Sequence, residues 1–330
     1  MKRKVFIPEP IDRSGLDLLR GECDCLAPWE SQSAPSSNEQ AGKVNSDRDA
    51  LMEADAVLVR LFRITEHDLL NADHLKVIAK HGTGVDNIDC QAATMRHIPV
   101  IYTPDANSNA VAEYTLALML NLARHICASS TALKEGHFDK RSEYTGIELA
   151  GKTLAVIGMG RIGSQVAMKA AQGLNMIVYA YDPLIPQEKY SGPAILKDSL
   201  EEVLKNADYL TLHVPLTPDT KKMINDQSLK LIKPGCRIIN TSRGAVIDED
   251  ALIRALNDRT IAGAALDVFQ EEPLAADHPF CYIPNVLPTP HISSSTQESL
   301  ERMSIQAAQG ILDVFHGRRP KYIVNPEVLD

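Results

Sequence analysis

Leu154-Ala155-Val156-Ile157-Gly158-Met159-Gly160-Arg161-Ile162-Gly163-Ser164 decides how the rest of this 330-residue chain is read. Leu154 to Ile157 is a short apolar, partly β-branched run, the pattern of a buried parallel strand. Gly158, Gly160 and Gly163 then fit G-x-G-x-x-G, and Ser164 to Gly173 reads as a helix. The spacing has a chemical reason. Gly158 permits a tight turn off the strand, and Gly160 lets backbone approach a pyrophosphate. Gly163 lets helix and strand pack closely, and the helix N-terminus faces the anion. A second strand, Met176 to Ala180, runs on to Asp182, which places a carboxylate where a ribose diol would lie. A carboxylate accepts from a 2′-hydroxyl and repels a 2′-phosphate, so the expected cofactor is NAD rather than NADP.

Outward from this unit, strands and helices alternate in both directions. Strands are predicted at Val5–Ile7, Cys23–Leu26, Asp55–Val59, Leu75–Ala79 and Val100–Tyr102 on the N-terminal side. Others are predicted at Tyr209–Val214, Arg237–Asn240, Ile261–Leu266 and Val286–Leu287 on the C-terminal side. Asp12 or Ser14 can cap a helix through Leu19, and Thr65 caps Glu66–Asn71. Ser31 to Val44 reads as a loop or short helix. Ala110 to His125 reads as a long apolar helix buried between domains or subunits, and Lys134 to Gly146 as a polar connector. The fold expected is α/β, with two doubly wound parallel-sheet domains. The first is a flavodoxin-like substrate domain, residues 1–106 with 297–330. The second is a Rossmann NAD-binding domain, residues 107–296, with a cleft between them. The helix from Thr296 is expected to return to the first domain.

Composition narrows the function. The chain is 44% hydrophobic and 23% charged, an ordinary globular balance. Its net charge of −9 gives no global attraction to nucleic acid or anionic membrane. Val5-Phe6-Ile7 is too short for a signal segment, and Val111 to Leu122 is too short and too polar to span a bilayer. The six cysteines are scattered, as expected of reduced thiols in a cytoplasmic protein. No His/Cys/Asp spacing suggests a metal site.

Polar groups gather at successive strand ends, where ligands bind in open α/β sheets. Arg243 follows Asn240-Thr241-Ser242, Glu272 follows Asp267, and His291 follows Pro290. Hydride transfer from a 2-hydroxy acid needs a cation to hold the carboxylate and carbonyl. It also needs a base for the hydroxyl proton and a carboxylate that favours the charged form of that base. Arg243, His291 and Glu272 supply these in turn.

At this level the chain resembles the NAD-dependent D-isomer 2-hydroxyacid dehydrogenases, whose members include D-3-phosphoglycerate dehydrogenases. The resemblance runs through Lys80–Asp89, Val111–Glu113, Gly158–Gly163, His213–Pro218, Asn240–Gly244, Asp267–Pro273 and Pro290-His291. It implies Arg243, Glu272 and His291 as the catalytic set. It implies that Thr83, Arg161, Ile162, Asp182, His213, Val214, Pro215, Thr241, Ser242, Arg243, Asp267, His291, Ser293 and Ser294 line the cofactor beside the glycines. Asp267 would meet the nicotinamide amide. Gly82, Gly84, Val85 and Asn107, with Arg60, Arg243 and His291, would meet the substrate, and Gly84 and Val85 would offer N–H groups to its carboxylate. The implied assembly is a homodimer.

Two features depart from many phosphoglycerate enzymes. Leu61-Phe62-Arg63 replaces a segment of small residues after Arg60, so that a bulky ring and a second cation are expected to change the pocket. No regulatory segment is expected after Asp330. The expected substrate is a small D-2-hydroxy acid, with 3-phosphoglycerate or another doubly anionic acid suggested by Arg60 and Arg63. The competing reading is an NAD(H)-sensing corepressor of the same fold, which a redox assay separates.

The Asp182 reading predicts a higher kcat/KM with NADH than with NADPH, and a narrowed preference in Asp182→Ala. Equal values for the two cofactors in the unaltered protein would overturn it.

Overall fold

The computed structural model describes residues 2–31 and 47–330, so most of the stretch 31–44 lies outside the described residues. The chain divides into two compact units. Unit 1 is Met1–Asn107 with Ser295–Asp330, and unit 2 is Ser108–Ser294.

Unit 1 holds a five-stranded sheet of β1 (Arg3–Phe6), β2 (Cys23–Leu26), β3 (Ala56–Val59), β4 (Val77–Lys80) and β5 (Val100–Ile101). The strands are parallel in the order β2-β1-β3-β4-β5. Successive residues face opposite sides, and both sides are apolar because both are covered. Val5, Ile7, Leu58 and Ala79 pack with Leu16, Leu19, Ala307, Ala308, Ile311 and Leu312 on one face. Phe6, Val57, Val59, Ile78 and Val100 pack with Leu69, Ala92 and Ala93 on the other.

Asp12 settles the first helix start, its side chain accepting from Ser14 N, and the helix runs Arg13–Glu22. Thr65 forms a reciprocal capping box with Asp68 at the start of Glu66–Asn71. The helix Gln297–Phe315 belongs to unit 1 and lies along Arg13–Glu22. The two helices meet so closely that a Cβ on Gly15 would stand 2.5 Å from the Ser304 backbone.

Unit 2 holds seven parallel strands. They are β6 (Thr153–Ile157), β7 (Ile177–Tyr181), β8 (Ile195–Leu196), β9 (Tyr209–Leu212), β10 (Arg237–Asn240), β11 (Gly263–Leu266) and β12 (Val286–Pro288). Their order, β12-β11-β10-β9-β6-β7-β8, reverses direction between β6 and β9. Leu154 and Val156 face one buried cluster, Ala155 and Ile157 the other.

Several elements differ from the sequence reading. The long helix is bounded by Ser108 and Arg124, and among its contacts in unit 2 are the helix Arg161–Gly173, β10 and β11. A separate helix, Ile126–Lys134, follows at 61°, with His125 between them at φ +54°. It escapes a periodicity argument because only Ala132 on it is buried, while Ile126 and Leu133 are exposed. Short helices at Cys90–Met95 and Asp226–Leu231 and the two-residue strand β8 were also not foreseen. No single helix among the described residues is long and apolar enough to cross a membrane.

Two glycines of one helix should respond oppositely to alanine. Gly15→Ala forces a Cβ into the Ser304 backbone and should cost about 1–3 kcal/mol. Gly21→Ala meets nothing within 4 Å and should be neutral or stabilising, through helix propensity. Thermal or urea unfolding of both variants checks the pair.

Candidate active site

Three parallel strands deliver the polar residues of unit 2 to one edge. Asn240 pairs with Leu266, and Leu266 with Pro288, so the segments that follow β10, β11 and β12 emerge side by side. After β10, Asn240 shapes the turn. Its Oδ1 accepts from Ser242 N at 3.0 Å and Ser242 Oγ at 2.8 Å, and its Nδ2 donates to Arg243 O at 2.9 Å. Arg243 is half-buried, and its guanidinium donates to Ser242 O at 2.6 Å. The next residue must be small, since a Cβ on Gly244 would lie 1.9 Å from the Phe269 carbonyl carbon. That contact sets the Arg243 turn directly against the turn leading to Glu272.

Glu272 is fixed at both oxygens. Oε1 accepts from Phe269 N at 3.0 Å, and Oε2 lies 2.7 Å from His291 Nδ1. Burial alone would raise the carboxyl. The bond to His291, the imidazole's charge, the Phe269 N–H and Arg243 outweigh it and hold Glu272 below the usual carboxylate range. A carboxylate at Nδ1 requires that nitrogen to donate, which leaves Nε2 to face a reacting group.

His291 sits at φ +51°, a conformation uncommon for residues with a Cβ. Asp267, fully buried, holds it there. Its Oδ1 accepts from Thr289 Oγ1 at 2.7 Å and Ile292 N at 3.0 Å, and its Oδ2 from Ser293 N at 2.8 Å. The resemblance gave Asp267 a place against the cofactor amide. In the structure three of its acceptor positions are committed to the turn that carries His291.

The glycine motif lies at the reversal between β6 and β9. Gly158 is at φ +89°, and a Cβ there would stand 2.5 Å from His213 O. A Cβ on Gly163 would stand 1.9 Å from Gly158 O. Gly160 is different. Its φ of −67° suits any residue, and a Cβ would meet nothing within 4 Å. Packing therefore explains Gly158 and Gly163 but leaves Gly160 for something outside the chain. Gly160 is also the N-cap of the helix Arg161–Gly173, and no side chain caps that end.

Asp182 borders this loop, accepting from Met159 N at 2.8 Å and Leu184 N at 3.0 Å. Each oxygen keeps a further lone pair for a hydroxyl donor. Burial pushes the His213 imidazole down to about 3, so it is neutral near pH 7. Its Nε2 is 2.9 Å from Thr211 Oγ1, while Nδ1 is buried without a partner among the described residues. A bare glycine, an uncapped helix start, an orphaned ring nitrogen and a bordering carboxylate fit a dinucleotide. Arg161, Ile162, Val214, Pro215 and Ser294 are half-buried or exposed, whereas Ser242 and Ser293 are buried. Thr241 is also buried, its hydroxyl 3.0 Å from Thr115 Oγ1, so its side chain serves packing.

The remaining expected residues belong to unit 1. Gly82, at φ +137°, donates its N–H to Thr103 Oγ1 at 2.9 Å. Thr83 Oγ1 donates to Asn107 Oδ1 at 3.0 Å. Among the described residues the N–H groups of Gly84 and Val85 make no hydrogen bond, as suits donors to an anion. Arg60 follows β3 and donates from its guanidinium to Pro10 O at 2.9 Å. Phe62 was expected to alter the pocket. Its ring meets Phe6 edge-on at 6.0 Å and lies under Arg48 at 4.7 Å, so it is partly buried against the core of unit 1. Arg63 is exposed.

Sequence reasoning assigned no role to Asn240, Thr289, Glu9, Lys80 or Asn87, all of which shape these loops. Asn240 had a local signal, an Asn opening a turn before Ser-Arg-Gly. The others act across long sequence separations and carry no such signal.

A family model described as "D-isomer specific 2-hydroxyacid dehydrogenase, NAD binding domain" matches residues 116–293. D-3-phosphoglycerate dehydrogenase of Methanocaldococcus jannaschii is 44% identical over 324 residues, covering 98% of this chain and 59% of that one. Glyoxylate reductase of Pyrococcus furiosus is 38% identical over 335 residues, covering 100% of this chain and 97% of that one. The chain thus spans little more than half the length of the phosphoglycerate dehydrogenases it matches. The crystal structure of D-lactate dehydrogenase from Aquifex aeolicus, complexed with NAD and lactic acid, superposes with a TM-score of 0.80 at 28% identity. That alignment covers 98% of this chain and 99% of the other.

The Asp267 anchor generates a prediction. Asp267→Asn replaces an acceptor with an NH₂ group that faces a buried N–H donor. It should destabilise unit 2 by about 1–3 kcal/mol, the cost of leaving a buried polar group unsatisfied. Urea unfolding measures the loss, and unchanged stability would show the turn to be held by other contacts.

Proposed function

We propose that this chain, which belongs to the D-isomer specific 2-hydroxyacid dehydrogenase family, interconverts a small D-2-hydroxy acid and its 2-keto acid. The observation that carries the reading is the 2.7 Å pairing of His291 Nδ1 with Glu272, next to the turn of Arg243 and on the sheet that carries the dinucleotide motif. In this reading Gly158, Gly160, Gly163, Asp182 and His213 hold NAD, and the nicotinamide, when bound, exchanges a hydride with the acid's C2.

The chain's own residues do the rest. In reduction, protonated His291 donates from Nε2 to the oxygen that becomes the alkoxide. In oxidation, the neutral ring takes the hydroxyl proton at the same atom. Glu272 fixes the ring's orientation and tautomer through Nδ1. Arg243 holds the carboxylate and polarises the carbonyl through a planar fork that a lysine does not reproduce. In unit 1, the N–H groups of Gly84 and Val85 are donors of the kind a carboxylate takes, and Arg60 is a cation on the loop after β3.

The test is a panel of 2-keto acids reduced with NADH. At least one acid should turn over, and His291→Ala should lower kcat about 10²–10⁴-fold. Glu272 is held below the usual carboxylate range and is ionised at neutral pH. Glu272→Gln removes that charge while keeping the side chain's size, and should lower kcat less than His291→Ala does. Full activity in Glu272→Gln while His291→Ala is nearly inactive would show the pairing to be irrelevant to proton transfer. No turnover across the panel would leave a binding protein instead.

A further inference from the structure

Glu9 stands between Pro8 and Pro10 just past the end of β1. Proline fixes its own φ and restricts the residue before it to extended conformations, so Glu9 is presented by a stiff segment. The order β2-β1-β3 makes the gap between β1 and β3 the reversal point of the five-stranded sheet, where open α/β sheets form their ligand crevice.

Here three successive backbone N–H groups converge on the Glu9 carboxylate. Arg60 N donates at 2.7 Å, Leu61 N at 2.8 Å and Phe62 N at 2.9 Å. Consecutive N–H groups pointing into one concavity make an anion-binding nest. The same loop is gripped by its carbonyls. Lys80, buried, donates from Nζ to Arg60 O, and Asn87 Nδ2 donates to Phe62 O at 2.7 Å. Lys80 Nζ also donates to Asn87 Oδ1 at 2.5 Å. Arg60 reaches back to Pro10 O. A carboxylate can take several N–H donors at once while keeping charge opposite to theirs, which a neutral side chain cannot do equally well.

We propose that Glu9 is a specificity-determining residue: its carboxylate fills the anion nest of Arg60, Leu61 and Phe62, fixes the loop that carries Arg60, and discriminates against acids with a second, distal anion. An acid whose far end is uncharged meets only the Arg60 side chain. An acid with a distal phosphate or carboxylate finds the nest taken and a like charge in it. The idea rests on the proposed reduction of a 2-keto acid, and it deepens that reading by naming which acids are favoured.

Two variants test it. Glu9→Gln keeps the side chain's size and one acceptor but removes the charge. The KM for 2-oxoglutarate, a dianion, should fall about three- to tenfold relative to the KM for glyoxylate, a monoanion, with kcat for glyoxylate little changed, as removal of one nearby like charge predicts. Glu9→Ala empties the nest, and inorganic phosphate should then bind to the cofactor-free protein. Trp29, the single tryptophan, donates to Ile7 O at 3.1 Å on the same segment, so its fluorescence reports the titration. The unaltered protein should show no such phosphate site.

Equal changes in both KM values in Glu9→Gln would reduce Glu9 to a structural cap and overturn the proposal. So would a folded Glu9→Ala protein that binds no phosphate. Should Glu9→Ala fail to fold, the KM ratio of Glu9→Gln decides alone. Failure of the functional reading is distinct: the unaltered protein would then reduce neither acid, while the phosphate titration, made without cofactor or substrate, would still report on the nest.

Discussion

One buried carboxylate underlies the candidate site of unit 2. Asp267 directly follows β11 and gathers Thr289, Ile292 and Ser293 around itself. Two of those three bonds come from backbone N–H groups on the far side of His291, so the turn is closed around the carboxylate. That closure is what keeps His291 at a positive φ. A histidine in an ordinary extended conformation at this position would point elsewhere, and its Nδ1 would not meet Glu272. The acid–base geometry is thus a consequence of Asp267, one shell behind the residues that would touch a substrate.

The same edge shows how backbone contact does work that side chains cannot. Gly244 lets the turn after β10 lie on the carbonyl of Phe269, and the Phe269 N–H in turn binds Glu272. Arg243, the residue before Gly244, is thereby fixed relative to Glu272 through a chain of backbone contacts. An arginine and a glutamate far apart in sequence are thus held side by side. The contact at Gly244 explains why the arginine is followed by glycine rather than by a residue with a Cβ.

Much of this was legible beforehand, for specific reasons. The glycine unit could be read because strand, turn, helix and terminal acid each leave a local pattern, and all four agree. The strand ends that carry Arg243, Glu272 and His291 could be read because parallel strands bring their carboxyl ends to one edge. Other features left no pattern. The helix Ile126–Lys134 shows no apolar stripe because it buries almost nothing. Phe62 looked like a pocket residue from its size and neighbours, but its direction depends on Phe6 and Arg48, both distant in sequence. Asp267 was given a ligand role by resemblance. Its visible role depends on a turn more than twenty residues later, which spacing alone does not reveal.

The two sheets treat the same physical opportunity in opposite ways. Each reverses strand order once, and at each reversal the backbone offers N–H groups to an anion. In unit 2 the helix start at Gly160 has no side-chain cap and no Cβ, so the donors are kept for a group from outside. In unit 1 the donors of Arg60, Leu61 and Phe62 are already satisfied by Glu9. A polyanionic cofactor needs the first arrangement, since its phosphates must replace water with fixed donors. A small acid with one carboxylate does not need the second. Filling the spare nest from within removes a competing place for anions and keeps the Arg60 loop in a single conformation. Selectivity then comes from a donor set that is withheld as much as from one that is offered.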